Sequence, residues 1–353
     1  MKALYQFEMP IEFGDLQRIE QLLESAGIFS IFTRDFNPYS AVAYRHQQAE
    51  YGTTFKAYLD LNVLIDVLSV ARITKDKTQE RRKLGAAVIA FFQCANIQIE
   101  PNIAIHESSR QAEEEVTLLR RIDNAHSADL IKVAFGDLPH LSENQLPPVK
   151  LISFPEGFAE RLHGHQAIET GVLKIASLML DKEKSPFSKM EEFLRWSYQD
   201  CIFAREALHL ALMEFSGKCL GKILKSPSGD HAKFKEKQIS NAVWDLMHAR
   251  NWAKSLSEQS LSNEVLIFCS RDRTLQSLAR DLVIDTDDVL QTEHQLLSLF
   301  QRYWGSSNGL KLFSLYAEYS KNDQSVDRRC NQPDFDAYCK QTYLTLTQEV
   351  LSE

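Results

Sequence analysis

The chain has 353 residues, with 40 basic and 48 acidic side chains and 44% hydrophobic residues. This length and hydrophobic content allow a sizeable core, in two domains or in one elaborated domain. The 13 glycines, 10 prolines and 20 phenylalanines exclude collagen-like, coiled-coil and disordered classes. The formal charge of −8 argues against an overall basic nucleic-acid coat, although local basic patches are compatible with it.

Targeting and membrane signals are absent from the sequence pattern. The first ten residues, MKALYQFEMP, lack the apolar centre of a secretory signal. The longest apolar stretch, residues 84–92, is too short to span a bilayer. The six cysteines contain no CxxC pair, so neither a disulfide framework nor a zinc site is indicated. We therefore expect a cytoplasmic protein without a membrane segment.

Helical and strand patterns alternate in the first part of the chain. Apolar residues spaced at helical intervals predict a helix over 13–26, and Gly27 is a typical helix end. The pattern then predicts strands or loop over 28–53, and a short β-type run over 55–66 that is followed at once by a helix. After these it predicts an apolar helix over 82–96, a short strand, proline turn and helix entry over 97–107, and charged helix over 108–135.

Helices dominate the second part. The expected elements are a proline-containing connector over 137–157, helices over 158–217, a polar link over 225–237, a helix beginning near 239, the clearest strand of the chain (EVLIFCS) over 264–270, and a helical tail from 287. Strands that each run into a helix predict an α/β fold, with a mainly parallel sheet and helices on its faces.

These patterns divide the chain into five expected regions. They are an N-terminal extension (1–53), a first part of an α/β core (54–137), a helical insertion (138–237), a second part of the core (238–290) and a helical C-terminal region (291–353).

Acidic residues follow the predicted strands. Asp60, Glu107 and Asp272 lie at three candidate strand ends, and Asp245 lies on the helix before the last strand. Open parallel sheets bind ligands at the carboxyl ends of their strands. Carboxylates brought together there would repel one another unless a divalent cation neutralised them, and oxygen ligands suit Mg²⁺ or Mn²⁺. Such a site typically serves phosphodiester hydrolysis, by polarising the phosphate and activating water.

Four segments resemble the motifs of PIN-domain nucleases. They are LDLNVLIDVL (59–68), His-Glu at 106–107, WDLMHARNWA (244–253) and FCSRDRTLQSLA (268–279), in the order of that family's four acids. The resemblance covers roughly 54–135 and 238–290, and the helices between Glu107 and Asp245 are longer than a minimal PIN domain has. Asp129, in SADLIKVAF, is an alternative third acid. Asp245 is preferred because its helix runs directly into the 264–270 strand.

The resemblance implies a three-layer α/β/α fold and a metal-dependent endoribonuclease. The catalytic and metal-binding residues would be Asp60, Glu107, Asp245 and Asp272, with Glu107 as a ligand or as the base that orients water. Asn62 and Ser270 would position water or the carboxylates. RNA is the expected substrate rather than DNA. The family includes toxin ribonucleases and phage-defence nucleases, so an inhibitory partner protein or a homo-oligomer is compatible with this interpretation.

Each acid also has a purely structural interpretation. Asp60, Asn62 and Asp272 could cap the helices that follow them. Glu107 could complement a helix dipole, and Asp245 could be a solvated helix residue. The constellation in family order favours the nuclease interpretation over these alternatives.

Basic residues near the acids could contact a polyanion. Arg271 and Arg273 flank Asp272, and two segments, 74–83 and 225–237, carry a net positive charge. A solvated helix face is the alternative for the first segment. Two rival functions remain at this point: a catalytically silent PIN-like module for binding or assembly, and a metal-dependent phosphatase that acts on small substrates.

Overall fold

The computed structural model describes residues 7–351, except 33–35, 73–78, 109–111, 151–153, 155–161, 163, 201–203, 219–220, 226, 228–232, 259–262, 284–288 and 322–334. The strands are β1 (Phe29–Ile31), β2 (Thr54–Leu59), β3 (Gln98–Glu100) and β4 (Glu264–Cys269). The helices up to the long polar link are α1 (Phe13–Ala26), α2 (Ala41–Tyr51), α3 (Leu61–Ser69), α4 (Gln79–Ala95), α5 (Asn102–Ser108), α6 (Ala112–Asp123), α7 (Ser127–Phe135), α8 (His165–Leu180), α9 (Pro186–Arg195) and α10 (Arg205–Ser216). The remaining helices are α11 (Glu236–Glu258), α12 (Arg273–Leu282), α13 (Val289–Lys321) and α14 (Phe335–Val350).

Local signals explain several helix boundaries. The helix predicted over 13–26 is confirmed as α1, and Gly27 ends it in the left-handed conformation at φ 64°. Ser40 begins α2 by accepting a hydrogen bond from the Ala43 amide, in a stretch that the sequence predicted as strands or loop. Gly305, at φ 75°, interrupts α13.

The four strands form one sheet in the order β1-β4-β2-β3. β2 pairs in parallel with both β4 and β3, and β1 pairs antiparallel with β4. The predicted mixed α/β class with a mainly parallel sheet is therefore confirmed. β1 comes from the expected N-terminal extension (1–53), so this segment contributes a strand to the sheet.

One face of the sheet packs against helices. Phe55, Ala57 and Leu59 alternate along β2 toward a buried cluster that also includes Ile267 and Cys269 of β4. Residues of the other strands and of α1 to α7 also belong to this cluster, and α4 contributes a continuous buried run over 85–92. The apolar helix predicted over 82–96 is thus the central helix of the core.

The chain divides into two compact units. The first unit comprises Met1–Glu160 and Lys254–Gln276, and the second comprises Arg161–Ala253 and Ser277–Glu353. The first unit contains the whole sheet. The second is helical, and in it α8 packs against α10 and α14, while α9 packs against α10 and α13.

The second unit contains a buried polar group around α10. His209 is 1% exposed, and its two ring nitrogens accept or donate no hydrogen bond within the described part of the chain. Nearby, the buried carboxylate of Asp281 accepts hydrogen bonds from Arg302 and from the Tyr303 hydroxyl.

None of the helices in the described ranges has the length and apolar character needed to cross a bilayer.

Candidate functional site

The carboxyl ends of β2 and β4 lie side by side. Leu59 and Cys269, the last residues of the two parallel strands, are in register, and the Asp60 amide donates a hydrogen bond of 2.9 Å to the Cys269 carbonyl. The chain turns immediately afterwards into α3 on one strand and toward α12 on the other. Asp60 and the segment 270–272 therefore leave the same edge of the sheet.

Both aspartates at this edge begin a helix. The Asp60 Oδ1 atom accepts a hydrogen bond of 2.7 Å from the Val63 amide. The Asp272 Oδ1 atom accepts bonds of 2.7 and 3.1 Å from the amides of Thr274 and Leu275. The capping role foreseen as the structural alternative is therefore present at both positions. Capping engages one oxygen of each carboxylate, and a carboxylate can still coordinate a cation through its other oxygen.

Ser270 fixes the turn between β4 and α12. Its side chain is fully buried, and its Oγ atom accepts a hydrogen bond of 3.0 Å from the Asp272 amide. Gln276 Nε2 donates to the carbonyls of Ser270 and Gly27, at 2.6 and 2.8 Å. Ser270 thus orients the backbone that carries Asp272. Asn62, the other expected positioning residue, lies exposed in the first turn of α3.

Asp66 is a buried acid at this edge to which the sequence analysis assigned no role. It is 1% exposed, although it lies on an otherwise apolar helix, α3. Its Oδ2 atom lies 3.1 Å from Arg271 Nε, and its Oδ1 atom lies 3.8 Å from Arg81 Nε. Within the described residues neither oxygen accepts a hydrogen bond. The carboxylate is therefore balanced by two guanidinium charges.

Opposing influences act on the pKa of Asp66. Together they raise this pKa from 3.8 to about 6, and burial is the largest cause, because the ionised form loses its hydration. Within that result the positive charges of Arg271 and Arg81 act to lower the pKa, and the nearby negative charge of Asp60 acts to raise it. Two acids, Asp60 and Asp66, thus interact electrostatically at one end of the sheet.

Close packing of α3 and α4 brings Arg81 to Asp66. A Cβ atom on Gly85 would lie 2.2 Å from the Asp66 carbonyl oxygen, so only glycine allows this approach. Arg82 joins the same helices by donating to the carbonyls of Ser69 and Arg72, at 3.2 and 3.1 Å. Arg81 lies one turn before Gly85 on α4 and therefore faces α3 as well.

Glu107 and Arg273 lie on elements that pack near this edge. Glu107 is half-buried on α5, which packs against α3 and β2. The Arg273 guanidinium lies beside Gly27, where a Cβ atom would be 3.6 Å from its terminal nitrogen. This places Arg273 at the carboxyl end of α1, where a positive charge complements the helix dipole.

The two candidates for the third acid lie in different places. Asp245 is half-buried on the part of α11 that belongs to the second unit. Asp129 is in the first turn of α7 and pairs with Lys132 at 3.3 Å. Ser127 bonds to Gln93, in the last turn of α4 before β3 begins. Asp129 is therefore near the starts of the parallel strands, at the opposite edge from Asp60.

A magnesium ion that shares ligands with a phosphate fits the donor set at the edge. No group of three or more His, Cys, Asp or Glu side chains in the described ranges is arranged to hold a metal. Magnesium, however, is commonly bound through one or two carboxylates, with water and substrate phosphate completing its shell. Asp60 is 2% exposed and, with Asp272, supplies such a pair of oxygen-bearing residues. Asp60 and Asp272 alone do not complete the coordination shell of the ion.

The cysteine beside Asp60 is unsuited to nucleophilic chemistry. Burial raises the pKa of the Cys269 thiol well above its usual value, and the Asp60 charge raises it further. The thiol is therefore protonated at neutral pH, whereas the thiolate is the reactive form.

Parts of the two predicted basic segments lie outside the described residues. These parts are residues 74–78 of the segment 74–83, and residues 226 and 228–232 of the segment 225–237.

Compared with models of protein families, with curated proteins and with solved structures, the chain gives no match.

Proposed function

We propose that the chain is a divalent-metal-dependent endonuclease of the PIN-like type, with a three-layer α/β/α core and RNA as its substrate. The observation that carries the proposal is the pairing of β2 with β4. It brings Asp60 and Asp272, from two distant motifs, to neighbouring carboxyl ends of one parallel sheet. This edge is where open α/β sheets bind their ligands.

In this proposal Asp60 and Asp272 hold the cation, Mg²⁺ or Mn²⁺. When bound, the cation polarises the phosphate and activates water. Ser270 keeps Asp272 in place through its hydrogen bond to the Asp272 amide. Glu107 orients the attacking water or adds a ligand, and Asp245 stays the candidate third acid from the sequence.

Positive side chains at the same edge bind the polyanion. Arg271 follows Ser270 directly, and its side chain is 36% exposed. Arg273 is exposed two residues further along. Contacts from these arginines to phosphate oxygens would fix the position of the nucleic acid without reading its sequence.

End-group analysis of the cleavage products tests the proposal. Purified protein is incubated with single-stranded RNA and DNA, with Mg²⁺, Mn²⁺ or excess EDTA. We expect cleavage with either metal, loss of cleavage in EDTA, and products with 5′-phosphate and 3′-hydroxyl ends. Products with 2′,3′-cyclic phosphate, or full activity in EDTA, would contradict water attack assisted by a metal.

The same experiment separates the two rivals. A silent PIN-like module that serves binding or assembly would bind RNA or a partner protein and cleave neither nucleic acid with any metal. A metal-dependent phosphatase would hydrolyse a generic phosphomonoester, such as p-nitrophenyl phosphate, and leave internal phosphodiester bonds intact. The same proposal includes a role for the nuclease as a toxin or as a phage-defence effector. In that role a partner protein would inhibit it.

A further inference from the structure

Asp66 and its two arginines form an arrangement that the metal site itself does not require. The acid is 1% exposed, whereas the side chains of Arg271 and Arg81 are 36% and 47% exposed. The buried end of each ion pair is therefore the carboxylate, and the arginines extend from it toward solvent. A surface ion pair that served solubility alone would not need a buried acid.

The ion pairs with Asp66 involve the inner nitrogen of each guanidinium group. Both contacts to Asp66 are made by Nε, at 3.1 Å from Arg271 and 3.8 Å from Arg81. In the described part of the chain no hydrogen bond engages the terminal nitrogens of these two arginines. Those nitrogens form the planar fork that matches two oxygens of a phosphate.

The two arginines come from different elements and meet only through the fold. Arg271 follows β4, and α4 carries Arg81. Gly85 allows α4 to approach the Asp66 backbone, so Arg81 is brought to the same carboxylate as Arg271. The edge of the sheet that carries Asp60 and Asp272 also carries this pair.

We propose that Asp66 is a positioning residue that holds the guanidinium groups of Arg271 and Arg81 so that their terminal nitrogens bind adjacent phosphates of a single-stranded nucleic acid. This inference rests on the proposed nuclease function, because it assigns the pair to the substrate of that site. Asp66 itself touches neither the substrate nor the cation.

Binding in the absence of metal tests the pair without requiring cleavage. The affinity of the full chain for a short fluorescein-labelled single-stranded RNA is measured by anisotropy in excess EDTA, over a range of salt concentrations. Arg271→Ala and Arg81→Ala should each weaken binding by about tenfold. Each should also reduce the slope of log affinity against log salt by about 0.7. Lys132→Ala is the control, since it removes one positive charge from α7, at the opposite edge of the sheet, and should have a much smaller effect.

Asp66→Asn is the most decisive variant, because two explanations predict opposite changes in the affinity for RNA. Removing a negative charge near bound phosphates should tighten binding if only the overall charge matters. If Asp66 positions the arginines, Asp66→Asn should weaken binding by about threefold to tenfold, and should have no further effect in a chain that already carries Arg271→Ala and Arg81→Ala. Tighter or unchanged binding would overturn the proposal.

Charge-conserving variants provide the second measurement, including the case in which Asp66→Asn does not fold. Arg271→Lys and Arg81→Lys keep the charge but lack the fork. They should bind the RNA nearly as weakly as the alanine variants, and wild-type affinity in both would overturn the proposal.

The outcomes for the pair and for the nuclease are distinguishable. Cleavage that requires metal, together with unchanged binding by Asp66→Asn, would reject the pair and keep the nuclease. Weakened binding by Asp66→Asn, in a protein that cleaves nothing with any metal, would keep the pair and reject the nuclease.

Discussion

Each of the two units buries a titratable side chain on which the charges of two arginines act. In the first unit Asp66 is 1% exposed and faces Arg271 and Arg81. In the second unit His209 is also 1% exposed, and the charges of Arg205 and Arg302 act on it. The acid has partners of opposite charge, whereas the base has neighbours that disfavour its protonated form.

The difference separates a charged site from a neutral one. Burial raises the pKa of Asp66 to about 6, and at neutral pH the acid is ionised against its arginines. Burial, and then the two arginines, lower the pKa of His209 to about 3, so its ring is neutral. A buried ionised group held by exposed cations is typical of a functional site, whereas a neutral buried histidine fits a structural role.

The largest expected effect tests whether the acids of the first unit do more than cap helices. Asp60→Asn and Asp272→Asn should each reduce metal-dependent cleavage by about a thousandfold, because a neutral amide holds a divalent cation poorly. Asparagine caps a helix as well as aspartate does, so the free energy of unfolding should hardly change. Cleavage rates and urea unfolding are measured on the same preparations.

A cap elsewhere in the first unit provides the control. Ser40→Ala removes the side-chain cap of α2 and should cost about 1 kcal/mol of stability while leaving cleavage intact. Wild-type cleavage by both asparagine variants would show that Asp60 and Asp272 serve only as caps.

The identity of the third acid is the next prediction, and it concerns Asp245 and Asp129. From the sequence motifs we expect Asp245→Asn to abolish metal-dependent cleavage and Asp129→Asn to leave it nearly intact. The placement of Asp129 near the starts of the parallel strands agrees with this order. The reverse pattern in single-turnover cleavage assays would assign the third acid to α7.

Local sequence patterns were sufficient for several elements of the fold. Gly27 marks the end of α1, and the strand predicted over 264–270 is present as β4, which ends one residue earlier, at Cys269. The pairing of β1 with β4 was not predicted, because partners so distant along the chain are selected by the tertiary fold. The aromatic content of 28–53 also concealed α2, whose clearest signal is the capping serine at Ser40.

The acids at the strand ends of the candidate site could be predicted from the sequence, but the ion pairs beside them could not. The motifs located Asp60 and Asp272, and the sheet shows that they follow neighbouring strands. Asp66 carried a weaker signal, an acid within the apolar run VLIDVL of α3. Its arginine partners could not be read from the sequence, because Arg81 reaches it only through the close approach of α4 at Gly85.

The raised pKa of Asp66 predicts how the stability of the first unit depends on pH. Between pH 3.8 and about 6 the folded state retains the Asp66 proton that the unfolded state has released. The free energy of unfolding should therefore fall as pH rises through this range. Asp66→Asn should remove that fall and stabilise the first unit at pH 7 by up to about 3 kcal/mol. Hydrogen exchange of peptides from α3 and β2 measures this change, and marked destabilisation at pH 7 would instead show that the ion pairs hold the fold.

His209 should give the opposite dependence, with a smaller effect in the accessible pH range. Below pH 6.5 the unfolded chain binds a proton at this position, whereas the folded chain does not until about pH 3, so stability is lost as pH falls. Between pH 7 and 5 the loss should be about 2 kcal/mol. All four tryptophans belong to the second unit, so urea unfolding followed by their fluorescence reports on this unit alone. His209→Leu should flatten the dependence, while His46→Gln, at an exposed histidine of the first unit, should leave it unchanged. An equally steep loss in His209→Leu would mean that other groups govern the acid sensitivity of the helical unit, and that the contrast with Asp66 does not extend to stability.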